Sequence, residues 1–170
     1  MLNVDPLDGL LQILSEDLDA RMVDVYGTEE TLKALMKRPE QNFCTDSEGG
    51  ESEHPRNRGS YARVLGKYVR EEGVFSLPEA IHHMTGRPAE RFGIPKRGLI
   101  KEGYYADFVV FDPDQITDHA DFMEPGKPNE GIHLVFVNGK IVMKDGIHQK
   151  VSAGMVIDWK ENENRRKKEN

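Results

Sequence analysis

Apolar positions along the chain recur first at helical spacing. Leu7, Leu10, Leu11 and Leu14 follow Asp5-Pro6, a capping side chain and a residue suited to a first turn, and they predict a helix from about Pro6 to Asp17. Met22-Val23-Asp24-Val25-Tyr26 is short and partly β-branched and reads as a strand. Gly27 then leads to a second helix, capped by Thr28, with Leu32, Leu35 and Met36 on its apolar face. Beyond Pro39, Asn42-Phe43-Cys44-Thr45 is expected to form a short buried strand. Helix, strand, helix, strand is the rhythm of an α/β domain with parallel strands.

A polar loop from about Asp46 to Gly59 precedes a helix carrying Tyr61, Val64, Leu65, Tyr68 and Val69. Another helix starts after Ser76, a plausible cap, and turns Ala80, Ile81 and Met84 inward. Past Gly98 the texture changes to strands. Ala106 to Phe111 is one, stopped by Asp112-Pro113, while His133 to Val137 and Lys140 to Met143 flank Asn138-Gly139, a strong hairpin signal. The final residues, Asp158 to Asn170, are almost all polar and are expected to be frayed or disordered. No internal repeat is present.

Composition bounds what this pattern can build. With 170 residues the chain has room for one domain or parts of two, and a complete eight-stranded (β/α) barrel, which needs roughly 250, is excluded. A formal net charge of −7 argues against a general electrostatic grip on nucleic acid or anionic membrane, although Arg165-Arg166-Lys167-Lys168 runs the other way. The single cysteine, Cys44, has no internal disulfide partner. Neither a signal peptide nor an apolar run near the roughly 20 residues of a membrane span is visible, so a soluble cytoplasmic protein is expected.

Candidate chemistry gathers after the second strand. Asp46 stands just past it at the start of a Gly-rich loop, where parallel α/β architectures keep ligand-binding and catalytic groups, so it is a candidate acid/base or metal ligand as well as a candidate turn former. Glu48, Glu51 and Glu53 do not match a calcium loop and read as a solvated acidic loop. Within His54-Pro55-Arg56, Arg56 lies ten residues after Asp46 and could hold a substrate carboxylate with its planar fork of donors; the alternative is an ordinary surface arginine. Adjacent His82 and His83 point about 100° apart on a helix and cannot face one metal, so they are expected to be structural or surface residues. Cys44 is expected to be a small buried hydrophobe.

The order of residues is more telling than any single motif. Leu65-Gly66-Lys67-Tyr68-Val69-Arg70-Glu71, Ser76-Leu77-Pro78-Glu79-Ala80-Ile81 and Met84-Thr85-Gly86-Arg87-Pro88-Ala89-Glu90-Arg91-Phe92-Gly93 resemble the C-terminal third of amidohydrolase-superfamily enzymes, as do Ala106 to Pro113 and Val137-Asn138-Gly139. His54-Pro55-Arg56 with Arg63-Val64-Leu65-Gly66 and Tyr68-Val69-Arg70 narrows the resemblance to the N-acyl-D-amino-acid deacylases, or D-aminoacylases.

That resemblance implies an α/β fold comprising the last βα units of an incomplete TIM-type barrel, following helices and a small β-sandwich portion. Residues 1–95 would be the barrel end with its helices, 96–157 the β-sandwich portion and 158–170 a polar tail. Met22 to Tyr26 would be the seventh barrel strand and Asn42 to Thr45 the eighth. The implied reaction is zinc-assisted hydrolysis of the amide of an N-acyl-D-amino acid, with Asp46 as metal-adjacent proton shuttle and Arg56 on the substrate carboxylate. Thr45-Asp46-Ser47-Glu48-Gly49 departs from the family's usual Ser-Asp-Gly. The family's other metal ligands would lie upstream of residue 1, which implies a chain inactive by itself. Two alternatives stand beside this: a non-catalytic association module, able to form a homo-oligomer through exposed barrel edges, and the end of a hydantoinase- or dihydroorotase-like enzyme.

Overall fold

A computed structural model describes residues 4–20, 27–47 and 54–157. The expected strand Met22 to Tyr26, the acidic residues Glu48, Glu51 and Glu53, and the polar tail lie outside these residues. The chain divides into two compact units, Met1–Leu32 and Lys33–Asn170.

In the first unit, α1 spans Pro6–Glu16. Its start is set locally: the Asp5 carboxylate accepts the Leu7 backbone N–H at 2.9 Å and Pro6 occupies the first turn. Leu7, Leu10, Leu11 and Leu14 do fall on one side, yet all four are exposed. The division between units falls within α2, Glu29–Met36, whose start is held by Thr28 Oγ1 accepting the Thr31 N–H at 3.2 Å.

The second unit opens with a departure from expectation. Asn42 to Thr45 does not form a strand, and the described strand pairs are all antiparallel. A parallel ladder needs a neighbouring strand to take its N–H and C=O groups; here the Phe43 N–H instead donates to the His83 carbonyl at 3.2 Å. Cys44, expected to be buried, is exposed.

Helix α3, Arg56–Arg63, runs into a widened helical segment, Val64–Glu71, in which the Glu72 N–H reaches back five residues to the Lys67 carbonyl at 2.9 Å. Three consecutive residues of this segment, Val64, Leu65 and Gly66, are buried. Gly66 faces the carbonyl of Ile116, which a Cβ would meet at 2.6 Å. Arg70 Nη1 donates to that same carbonyl at 2.5 Å. Ile116, Tyr68, Val64, Leu65, Ala80 and Met36 belong to one buried cluster.

The cap predicted at Ser76 is a full capping box: Ser76 Oγ accepts the Glu79 N–H, and the Glu79 carboxylate accepts the Ser76 N–H at 2.8 Å. It opens α4, Leu77–Met84, after which α5, Gly86–Phe92, ends on Gly93 in the left-handed conformation.

One antiparallel sheet follows, ordered β1 (Phe108–Phe111), β2 (Ile132–Val137), β3 (Lys140–Lys144) and β4 (Ile147–His148). Asn138 and Gly139 both take positive φ, 49° and 77°, as the tight β2–β3 turn requires. Asp145 and Gly146 do the same between β3 and β4. Phe108 stacks on its cross-strand partner Phe136 at 4.2 Å.

A candidate carboxylate-binding site at the start of helix α3

The two residues singled out for chemistry come together. Arg56 Nη2 lies 3.0 Å from Asp46 Oδ2, with 38% of the arginine side chain and 79% of the aspartate side chain exposed. Asp46 sits at φ 50°, a left-handed conformation that Asp tolerates better than most residues. Arg56 is the first residue of α3, so its direction is set by how that helix begins.

Pro55 precedes the helix and offers no capping side chain. His54, one residue earlier, takes that role: its Nδ1 accepts the Arg56 N–H at 3.1 Å and its carbonyl accepts the Asn57 N–H at 3.2 Å. The imidazole meets Phe122 edge-on, with ring centroids 5.1 Å apart. Burial, and secondarily the Arg56 guanidinium, hold the His54 pKa below its ordinary value, while Asp46 pulls the other way.

The rest of α3 is tied to the loop before β2. Arg58 Nη1 donates to the Gly126 carbonyl at 3.3 Å, and Asn129 Nδ2 donates to the Arg58 carbonyl at 2.7 Å. Arg63 places Nε and Nη2 on Asp118 Oδ2 at 2.9 and 2.8 Å. Arg56 Nε and both polar atoms of the Asn57 amide are buried with no hydrogen-bond partner among the described residues. Tyr61 lies farther along α3; burial, then the electrostatic influence of Cys44, push its hydroxyl pKa up.

Sequence reasoning overlooked His54 as a cap, together with the supporting Phe122, Asp118 and Asn129. A signal for the first was present, since an acceptor side chain and a proline just ahead of a helical run mark a helix start. The other three act across the fold and leave no local trace. His82 and His83 behave as expected: His82 is exposed, and half-buried His83 packs against Phe43 with centroids 6.1 Å apart.

A metal finds little here. Among the described residues no group of three or more His, Cys, Asp or Glu side chains converges on a common point. A catalytic zinc normally takes three protein ligands, so Asp46 with its guanidinium partner does not fit one by itself. No helix among the described residues is long and apolar enough to cross a membrane.

The described residues form a partial α/β fold, helices followed by a four-stranded antiparallel sheet, with a paired carboxylate and guanidinium at a helix start. Residues 26–143 match the amidohydrolase family, and the chain belongs to that family. It is 43% identical over 113 residues to N-acyl-D-aspartate deacylase of Alcaligenes xylosoxydans xylosoxydans, a match covering 62% of this chain and 22% of the relative. To the D-aminoacylase of the same organism it is 45% identical over 107 residues, 63% of this chain and 22% of that protein. The chain thus spans about a fifth of the length of these relatives. Among solved structures, N-acyl-D-glutamate deacylase from Bordetella bronchiseptica, complexed with zinc and a phosphonate mimic of the tetrahedral intermediate, aligns with a TM-score of 0.69 at 38% identity, covering 76% of this chain and 27% of that one. A D-aminoacylase crystal structure aligns with a TM-score of 0.61 at 46% identity, covering 62% and 22%.

Proposed function

We propose that this chain carries the substrate-carboxylate and proton-transfer residues of an amidohydrolase acting on N-acyl-D-amino acids. The observation that carries this reading is the 3.0 Å approach of Arg56 to Asp46, in a chain that is 43% identical over 113 residues to an N-acyl-D-aspartate deacylase and 45% identical over 107 residues to a D-aminoacylase. Arg56 presents the planar donor fork that suits an α-carboxylate. Asp46, its exposed carboxylate beside Arg56, takes a proton from the attacking water as the C–O bond forms. It then gives that proton to the amine nitrogen as the C–N bond breaks, leaving a carboxylic acid and a D-amino acid.

The Bordetella bronchiseptica N-acyl-D-glutamate deacylase structure holds zinc, and D-aminoacylase has a binuclear metal centre. The described residues do not supply a zinc site, so hydrolysis calls for ligands beyond them. We therefore expect an enzyme activity that the described residues do not perform alone.

Grafting residues 26–143 in place of the matching segment of the Alcaligenes D-aminoacylase tests the reading. The zinc-loaded hybrid should hydrolyse N-acetyl-D-amino acids. Arg56→Ala should raise KM by roughly 10²-fold, the scale of one charge-assisted bidentate contact, with kcat little changed. Asp46→Asn should lower kcat by roughly 10²–10⁴. An unchanged KM for Arg56→Ala would remove the reason for preferring a carboxylate-bearing substrate. It would favour a cyclic amide, a reading that draws on 29% identity over 82 residues to a dihydroorotase of Lactobacillus delbrueckii subsp. bulgaricus. Zinc-dependent turnover by the purified chain alone, abolished by Asp46→Asn, would refute the need for further ligands.

A further inference from the structure

We infer that His54 is a positioning residue for Arg56, acting as the hydrogen-bond acceptor that caps α3 in place of Pro55 and holding its imidazole as the Nε2–H tautomer. The inference rests on the carboxylate-binding role proposed for Arg56, though its geometry stands independently. Pro55 has no side-chain acceptor, and the first-turn N–H groups of α3 need one. The Arg56 N–H meets His54 Nδ1 at 3.1 Å, and an Nδ1 that accepts must be bare. In the neutral ring, the proton therefore sits on Nε2.

Two features make this a positioning device as well as a cap. The amide held is that of Arg56 itself, so the bond fixes the backbone from which the guanidinium projects toward Asp46. The ring is also set from a distant segment, by the edge-on contact of Phe122 at 5.1 Å. That segment reaches α3 a second time through Gly126, whose carbonyl takes Arg58 Nη1. The loop thus steadies both the cap and the turn it caps.

Nuclear magnetic resonance on the 170-residue chain tests this without substrate. Two-bond ¹H–¹⁵N correlations should show His54 as the Nε2–H tautomer near neutral pH. Exchange of the Arg56 amide should accelerate roughly tenfold in His54→Ala, the scale of one ordinary hydrogen bond. His54→Asn should restore protection, because its Oδ1 can lie where Nδ1 lies, while His54→Gln should not. An Nδ1–H tautomer would overturn the inference, as would unchanged exchange in His54→Ala or failure of His54→Asn to restore it. If His54→Ala does not fold, the tautomer of the parent chain and the His54→Asn exchange decide the matter. In the zinc-loaded hybrid, His54→Ala should raise KM several-fold with kcat little changed, and His54→Asn should recover it. Correct tautomer and exchange together with a KM indifferent to Arg56→Ala would leave the cap standing and remove the proposed substrate.

Discussion

Gly66→Ala sets two physical effects against each other, and the structure says which wins. In an ordinary helix the change would stabilise by about 1 kcal/mol, because alanine loses less backbone entropy than glycine. Here the added Cβ would lie 2.6 Å from the Ile116 carbonyl oxygen, and real Cβ atoms essentially never come within 3.0 Å of such a neighbour. The obstacle is backbone, so relief means moving the widened segment or the 112–118 turn by several tenths of an ångström. Overpacking of that kind costs about 1–3 kcal/mol. The same carbonyl accepts Arg70 Nη1 at 2.5 Å, and that charged hydrogen bond, worth about 1.5–3 kcal/mol, is strained by the same movement. The net expectation is a loss of about 2 kcal/mol, or a folded-to-unfolded ratio lower by about 30-fold. Urea unfolding followed by circular dichroism should show the midpoint falling by about 1 M with an unchanged slope. An equal or higher midpoint would refute the packing argument, because it would mean that the Ile116 carbonyl does not press on residue 66.

Other perturbations test separate parts of the fold. Hydrogen bonds from the Ser76 side chain and backbone lower the Glu79 pKa below 4.5, so the folded chain holds that proton less well than the unfolded one. The resulting stability is full above about pH 4.5 and lost as pH falls through the folded value. Ser76→Ala should cost about 1 kcal/mol near neutral pH and flatten the acid dependence, as read from denaturant midpoints across that range. Asn138→Ala removes a side chain that accepts from Arg97 at 2.7 Å and donates to the Ala153 carbonyl at 2.6 Å, at a position with φ 49°. It should destabilise by about 2–3 kcal/mol, and a loss under 0.5 would show that these bonds contribute little. The exposed leucines of α1 should make the purified chain self-associate, with a sedimentation coefficient that rises with concentration and falls back on Leu10→Glu/Leu11→Glu.

What was legible beforehand follows the range of the forces involved. The starts of α1, α2 and α4 were readable because Asp5-Pro6, Thr28 and Ser76 with Glu79 act within a few residues, and the β2–β3 turn was readable from Asn138-Gly139. Asp145-Gly146 carried the same signal and was overlooked. Asn42 to Thr45 misled because a run of apolar and β-branched residues does not state whether a partner strand exists. The widened turn at Val64–Glu71 could not be read at all, since the carbonyl pressing on Gly66 lies fifty residues away. Asp46 and Arg56 were visible as candidates from loop position and family resemblance. Their contact was not, because it depends on where α3 starts, and His54 decides that.

The energetics of the site point the same way. An ion pair as exposed as Asp46 with Arg56 contributes about 0–1 kcal/mol, too little to hold a helix start in place. The acceptor at His54 and the ties from Gly126 and Asn129 to Arg58 place Arg56 from the backbone side instead. Asp46→Asn should therefore leave the unfolding free energy within about 0.5 kcal/mol of the parent and the Arg56 amide equally protected. A loss above about 2 kcal/mol would show that the ion pair, and not the cap, fixes the arginine. For the proposed reaction this division of labour is useful. A weak pair lets an incoming carboxylate displace Asp46 from the guanidinium at small cost, which frees the aspartate to handle a proton beside the substrate that displaced it.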